Sequence, residues 1–317
     1  MRFLEATSLN TDNSIYTQQN NDFIIKCLVA QRSEYSKAKT INRCKTILTL
    51  SVALISILAS IINNDFLSAI SGLLAVILLI VNKWTERTIS SHKKHAASVQ
   101  QYIDVTLYSA ALDMNKSIWG EIPSQNDLAE SIVKYNQADA NSMKNWYSDY
   151  SSLPAKKQVL YCQKENIRWN AELSKKYKWF NYSFFAVFLL AMVISLFALN
   201  PSIIKAICIL TWMSPLAEYC YSLHSEINHS NTLFKKANKK FKHIESQLRN
   251  DNIVTDDLVT LQHQIKVIRE EGILIPDWFY KKFQGKQQKN EDQIANTIIS
   301  QHIESSENNE IGNNTTN

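Results

Sequence analysis

The sequence has little glycine and little proline, with five of each among 317 residues. Average proteins contain roughly 7% glycine and 5% proline. Strands joined by tight turns need both residue types at the turns. The shortage therefore predicts an all-α fold.

Catalytic sequence motifs are also missing. The sequence has no P-loop, no GxGxxG, no GxSxG and no HExxH pattern. We therefore expect neither an enzyme nor a bound cofactor. The five cysteines contain no CxxC pair and are odd in number, so they are expected to be reduced or lipid-buried thiols, without a disulfide framework or a zinc site. They are Cys27, Cys44, Cys162, Cys208 and Cys220.

Two charge-free apolar runs lie at 46–62 and 66–82, separated by Asn63, Asn64 and Asp65. Each run is about 17 residues long, just enough for a helix to cross a bilayer core of about 30 Å. The short connection makes the two runs antiparallel neighbours. A membrane hairpin at 46–82 is predicted over a buried hairpin in a soluble core.

A second apolar block, at 179–217, is interrupted by Asn200 and Pro201. It predicts a second hairpin and four crossings in total. Basic residues flank the open ends of the first hairpin, at Lys45 and Lys83, while its turn carries only Asp65. The positive-inside rule then places both termini in the cytoplasm. The expected location is therefore a membrane, crossed several times.

The remaining segments are assigned by their polarity and helical periodicity. A Ser124-to-Asp127 capping box, breaks at 119–123 and 153–154, and a helix end at Gly272 are predicted within them. They comprise a disordered N-terminus (1–17), an amphipathic cytoplasmic helix (18–45), a helical insert (83–178), C-terminal cytoplasmic helices (218–283) and a mostly disordered tail (284–317).

The apolar spans carry no carboxylate or histidine at mid-depth, which disfavours a proton-coupled carrier or a selective transporter. They do carry small residues at helical spacing, which allows close helix packing either within one monomer or between monomers. These residues are Thr49, Ala53, Ser56, Ser60, Ser68, Gly72, Ala191 and Ser195.

Two charged features have alternative interpretations. The basic segment 233–249 is either a solvated or lipid-facing surface, or a site that holds a phosphate-rich ligand through lysines and stacked aromatic rings. His92 and His95 have the spacing of two metal ligands on one helix face, but Lys93 and Lys94 lie between them, so a solvated basic face is favoured.

Two segments carry a family resemblance. The first contains Gln19-Asn20, Ala30-Gln31-Arg32, Tyr35 and Ala38-Lys39 before the first hairpin, and the second is Ile275-Pro276-Asp277-Trp278-Phe279-Tyr280. Their order around two hairpins and a long helical insert resembles the S-4TM family, over about residues 18–283. Those proteins are bacterial four-span pore-forming effectors found with cyclic-oligonucleotide synthases.

The resemblance implies a role in anti-phage defence (CBASS). A cyclic nucleotide made after infection would activate the effector, which would permeabilise the membrane and cause abortive infection. It implies a homo-oligomer in the lipid bilayer and a cyclic oligonucleotide as ligand, with no DNA or RNA polymer as partner. The alternative is a non-lytic membrane scaffold that binds protein partners.

The resemblance also supplies candidate sensor or regulatory residues from its two segments. For Trp278 and Tyr280, the alternative is simple packing against membrane-proximal helices. The candidates are Gln31, Arg32, Tyr35, Lys39, Pro276, Asp277, Trp278 and Tyr280.

Overall fold

The computed structural model describes residues 14–62, 64–134, 137–199, 202–203, 207, 214–248 and 253–314. These residues form helices and irregular connections, and none of them is in a strand, which confirms the all-α prediction. The fourth predicted span, after residue 200, lies mostly outside the described residues.

Eight α-helices follow one another in the described residues, joined by two 3₁₀ turns at Lys116–Trp119 and Gln137–Met143. The α-helices are α1 (Ile15–Gln18), α2 (Asp22–Ile62), α3 (Asp65–Leu112), α4 (Gln125–Val133), α5 (Ala155–Leu199), α6 (Ser214–Gln247), α7 (Thr255–Glu271) and α8 (Asp277–Asn314).

Three of these helices join a polar segment to an apolar one without interruption. Helix α2 is 41 residues long, α3 is 48 and α5 is 45. Helix α5 runs from Ala155 directly into the second apolar block. At 1.5 Å per residue α2 extends about 60 Å, so the predicted boundary between 18–45 and 46–82 is not a structural break.

Among the described residues, one segment is long and apolar enough to cross a membrane, Ala69–Leu112 within α3. Only 22% of its apolar window is buried inside the protein. The four-span topology is therefore a proposal.

Large apolar side chains are nevertheless exposed on all three long helices. Examples are Leu54 on α2 (57% exposed), Leu73 on α3 (63%) and Phe197 on α5 (83%). Contiguous exposed apolar surface is typical of a membrane or partner interface.

The hydrophobic core lies among the polar portions of the helices. Leu28 of α2, Ile103 of α3, Leu160 of α5, Phe241 of α6 and Leu261 of α7 belong to the same buried cluster. The beginning of α2, the end of α3 and the beginning of α5 therefore form one helical body with α6 and α7.

The predicted helix boundaries at three breaks are confirmed. Ser124 and Asp127 form the reciprocal capping box of α4, α5 begins directly after Pro154, and Gly272 caps the end of α7. Gly120 has φ +86°, and a Cβ there would lie 2.5 Å from His263 Cε1, so this break requires glycine.

Two predicted disordered segments need correction. Within 1–17, Ile15–Gln18 forms α1, which Ser14 caps, and Ile15 is buried. The predicted tail 284–317 is helical as far as Asn314, as part of α8. Both predictions were based on low hydrophobicity and thus overlooked burial of polar side chains.

Helix α8 is anchored by polar groups on one face. Gln287, Glu291 and Ala295 are buried at a spacing of four residues. Glu291 forms an ion pair with Arg168 of α5, and Gln287 donates to the Trp169 carbonyl oxygen at 2.7 Å. A stripe of glutamine and glutamate carries no apolar periodicity, so the sequence pattern did not reveal it.

A buried carboxyl on α5 makes the stability of this body depend on pH. Glu165 is 4% exposed and accepts from the Ser148 backbone N–H at 3.2 Å. Burial, assisted by the nearby Glu291 carboxylate, raises the pKa of Glu165 to about 7. Because the folded state retains this proton and the unfolded state does not, stability falls as the pH rises from about 4.5 to about 7.

We predict that Glu165→Gln flattens this pH dependence, because the amide keeps an acceptor for Ser148 and never ionises. The gain at pH 8 should be about 3 kcal/mol at most, measured as the unfolding midpoint in detergent at pH 5 and pH 8. Glu172→Gln, on the same helix, is the control. An equal pH slope in Glu165→Gln and wild type would contradict the prediction.

Candidate functional site

The two segments that carry the resemblance meet in space, although they are more than 230 residues apart in sequence. Lys39 Nζ of α2 lies 2.7 Å from Asp277 Oδ1 of α8. The same ammonium lies 5.7 Å from the centroid of the Tyr280 ring, within cation–π distance. We call the group Arg32, Tyr35, Lys39, Asp277 and Tyr280 the α2–α8 junction, or the junction for short.

Helix periodicity positions the α2 side of this junction. Gln31 and Ala38 are buried on the inward face. The Tyr35 hydroxyl donates to the Arg269 carbonyl oxygen at 3.3 Å, at the end of α7. Burial raises the pKa of Tyr35, so the phenol remains a neutral donor at physiological pH.

The start of α8 positions the other side. The Pro276 carbonyl oxygen accepts from the backbone N–H groups of Phe279 and Tyr280, both at 3.0 Å. Asp277 is the first residue of α8, where a carboxylate is favoured by the helix dipole. Just before it, Leu274 packs with Ala38 and Ile89. An apolar contact thus supports the ion pair.

The charged residues of the junction also shift the pKa of Tyr280. Burial and the Asp277 carboxylate raise the pKa of Tyr280, while the Arg32 guanidinium lowers it. Arg32 itself donates from Nη1 to Ser142 Oγ at 3.1 Å. The Tyr280 ring lies 6.0 Å from Trp169 of α5. The junction therefore touches α2, α5 and α8 together.

The structure does not bring Trp278 and Gln31 into the junction's ion pair. Trp278 is 53% exposed, and its ring packs edge-on against Phe180 of α5 at 5.4 Å, as the packing alternative predicts. Gln31 is buried, and its Oε1 has no hydrogen-bond partner among the described residues.

A buried polar network, absent from the sequence predictions, lies directly behind the junction. Arg269 Nη1 of α7 is 2.6 Å from Asp104 Oδ2 of α3, and both side chains are almost fully buried. Tyr147 OH donates to Asp104 Oδ1 at 2.6 Å, and Gln262 Nε2 donates to Asp104 Oδ2 at 2.9 Å. One signal was present, because Gln100, Gln101 and Asp104 lie one turn apart on α3 beside the apolar stripe that contains Ile103 and Leu107.

The histidines of α3 have separate protein partners. His92 Nδ1 lies 2.6 Å from the buried carboxylate of Glu34, and His95 Nε2 lies 2.9 Å from Ser131 Oγ. The predicted solvated basic face is wrong for His92, because Glu34 pairs with it. Across the described residues, no group of three or more potential metal ligands occurs.

A cavity of about 650 Å³ opens beside His95, between α3, α4 and α7. Its lining includes three lysines (Lys94, Lys134 and Lys266) and four carboxylates (Glu121, Asp127, Glu130 and Glu270). Glu270 directly follows Arg269, so this cavity and the junction are connected through the end of α7. Its charge is mixed, and its lining contains no Phe, Tyr or Trp ring.

The basic helix α6 turns its aromatic residues away from solvent. Phe234 and Phe241 are buried in the core, and Lys240 Nζ pairs with Asp257 Oδ1 at 2.6 Å. The buried rings cannot stack on nucleotide bases, so that interpretation of 233–249 is wrong. Lys235, Lys236, Lys239 and Lys242 are exposed, and Arg249 lies outside the described residues.

The small residues of α2 pack within the monomer. Thr49, Ala53 and Ser56 are buried, whereas Gly72 of α3 is half-buried. Neighbouring Val52 forms a cluster with Ala75 and Leu78 of α3. The side chains of Ser60, Ser68, Ala191 and Ser195 lie outside the described part of the structure.

The sequence of this chain matches one protein-family model. The model of the SMODS-associating 4TM effector domain (S_4TM) matches residues 13–298. The chain belongs to this family. No curated protein and no solved structure gives a match.

The S_4TM match covers both segments of the junction and the long helices between them. As an S_4TM member, this chain is a membrane-associated effector of SMODS-type defence. The resemblance inferred from the two short segments is thereby confirmed.

The buried and exposed ion pairs should differ in their effect on stability. We predict that Asp104→Asn destabilises the protein by about 3–5 kcal/mol, because Arg269 is left as an unpaired buried charge. Asp277→Asn should cost about 1 kcal/mol or less, because its pair with Lys39 is partly solvated.

Thermal unfolding of purified S_4TM protein in detergent would measure both effects, and the Asp277 variant serves as the control for charge removal. Equal losses in the two variants would contradict the assignment of the Asp104–Arg269 pair as the stronger structural contact.

Proposed function

We propose that this S_4TM protein is a membrane-permeabilising, pore-forming effector that a cyclic nucleotide switches on after phage infection, arresting or killing the cell. It acts without catalysing a reaction. It crosses the bacterial inner membrane four times, keeps both termini in the cytoplasm and works as a homo-oligomer.

The observation that carries this proposal is the continuity of α2, α3 and α5 from the cytoplasmic body into their apolar segments. A helix without a break transmits tilt or rotation along its whole length. Lys39 lies about two turns before the first apolar run on α2. A change at the junction therefore reaches the membrane through rigid connections.

The resting monomer has the character of a closed state. Leu54, Leu58 and Ile77 are exposed to the surroundings, whereas Thr49 and Ser56 are buried between helices. An apolar exterior with buried hydroxyl groups gives no aqueous path across the bilayer. Permeation requires rearrangement or assembly, which suits an effector kept inactive until a signal arrives.

The cavity beside His95 is the place we propose for the cyclic nucleotide. Lys94, Lys134 and Lys266 can pair with phosphate oxygens. The adjoining Glu270 lies next to Arg269, whose carbonyl oxygen accepts the Tyr35 hydrogen bond. Occupation of the cavity would thus shift the end of α7 and, through it, the junction.

The first test is dye-reported membrane potential in bacteria that express this protein with a SMODS cyclic-nucleotide synthase, either active or catalytically inactivated. We expect depolarisation only with the active synthase. Depolarisation with both would indicate an ungated disruptor. No depolarisation, with the protein found in the membrane, would favour the non-lytic scaffold.

The second test reverses the junction charges. Asp277→Lys replaces attraction to Lys39 by repulsion, so the resting state should lose about 1 kcal/mol, and about fivefold less synthase should be needed for half-maximal depolarisation. The double variant Lys39→Asp/Asp277→Lys should restore the wild-type requirement.

The matched control is Asp22→Lys, which reverses an exposed pair with Lys26 within α2 alone. It should leave the requirement unchanged. If Asp277→Lys behaves like this control, the junction does not hold the resting state.

A further inference from the structure

The buried contact between α2 and α3 has a regular composition. It repeats at spacings of three and four residues, as in an antiparallel coiled coil. We call this contact the α2–α3 seam. Its members are Lys45, Thr49, Val52, Ser56 and Ala59 on α2, with Ser71, Ala75, Leu78, Asn82 and Glu86 on α3.

Two contacts set the register of the seam. Lys45 Nζ lies 2.8 Å from Glu86 Oε1. We call this end of the seam, which is cytoplasmic in the proposed topology, the mouth. Further in, Val52 packs with Ala75 and Leu78. Because the helices are antiparallel, this register places Thr49 at the level of Asn82.

Two hydroxyl groups on the seam donate hydrogen bonds to the backbone of their own helix. Thr49 Oγ1 donates to the Lys45 carbonyl oxygen at 3.0 Å, and Ser56 Oγ donates to the Val52 carbonyl oxygen at 2.9 Å. These bonds satisfy the hydroxyl hydrogens of Thr49 and Ser56 within α2 itself. The hydroxyl groups can therefore face either another helix or water.

One buried amide oxygen on the seam has no hydrogen-bond donor among the described residues. It is Oδ1 of Asn82, a residue that is 3% exposed. A buried amide oxygen without a donor costs free energy. Water or a cation at the mouth would satisfy it. The Lys45–Glu86 pair lies about one turn away, with the lysine buried and the carboxylate already partly exposed.

The opposite face of the same helices is suited to lipid. Ile47, Leu54 and Leu58 of α2 and Leu73 and Ile77 of α3 are exposed. Ser51 is the exposed hydroxyl on this outward face of α2. The hairpin therefore has a wettable inner face and an apolar outer face.

We infer that the α2–α3 seam becomes the water-facing wall of the open pore, and that Lys45 and Glu86 set its ion selectivity. This inference rests on the proposed pore-forming function. In the oligomer the two helices separate at the mouth, and seams from several copies face a common axis. The conducted ligands are hydrated monovalent ions, which hydroxyl and amide oxygens accommodate.

Cysteine accessibility tests the inference, with Ser56→Cys and Ser71→Cys as seam variants and Ser51→Cys as the matched control. All variants carry Cys44, Cys208 and Cys220 replaced by serine. Cys27 and Cys162 remain, since both are buried in the core and burial raises the pKa of the Cys27 thiol to about 12, which makes it inert.

The probe is a charged, membrane-impermeant methanethiosulfonate added to spheroplasts with active or inactivated synthase. For the seam variants, we expect labelling to accelerate at least tenfold with active synthase and the leak to change, since a thiolate forms only where water reaches the sulfur. The Ser51→Cys variant should label at the same slow rate in both states.

Ion selectivity gives a second measurement. Lys45→Gln leaves Glu86 as the mouth charge and should shift the reversal potential towards cations, while Glu86→Gln should shift it towards anions. The charge-swapped variant Lys45→Glu/Glu86→Lys should lie near wild type.

The outcomes separate the inference from the function on which it rests. Depolarisation without seam labelling, or with labelling of the Ser51→Cys variant alone, overturns the seam as the pore wall and leaves pore formation standing. Reversal-potential shifts of the same sign overturn the role of Lys45 and Glu86. Failure of every variant and of wild type to depolarise the membrane overturns the proposed function itself.

Discussion

The buried ion pair between Asp104 and Arg269 is the contact on which the remaining arrangement depends. It fixes the end of α7 against α3 at 2.6 Å, where the low dielectric makes the geometry strict. The Tyr35 hydrogen bond, the short segment after Gly272 and the start of α8 all follow within a few residues. Without that anchor, the Lys39–Asp277 pair would have no fixed position.

The buried Asp104–Arg269 pair and the Lys39–Asp277 pair of the junction differ in the free energy that is needed to break them. The buried network is costly to disturb, whereas the junction ion pair is partly solvated and contributes little free energy. A ligand of ordinary affinity can outweigh the second contact but not the first. Rearrangement would therefore begin at the junction and leave the helical body intact, which is the behaviour expected of a switch.

Sequence patterns predicted those features that depend on apolar periodicity or on local capping chemistry. The hairpin at 46–82, the capping box at Ser124 and the start of α5 are examples. Polar burial was not predictable in this way, because Gln287, Glu291 and Asp104 interrupt the apolar pattern that marks a core. The meeting of Lys39 with Asp277 required tertiary structure, although both segments had been selected by their family resemblance.

Only residues 63 and 64 separate the end of α2 from the start of α3. This short connection keeps the two helices together at one end. Because the two helices are joined at that end, they can separate most at the opposite end, beside Lys39. Lys39 lies about 36 Å from the connection and Leu54 about 13 Å, counting 1.5 Å per residue. A displacement at Lys39 is thus reduced about threefold at Leu54. With the proposed topology, a small movement at Lys39 would therefore leave the apolar segments packed together.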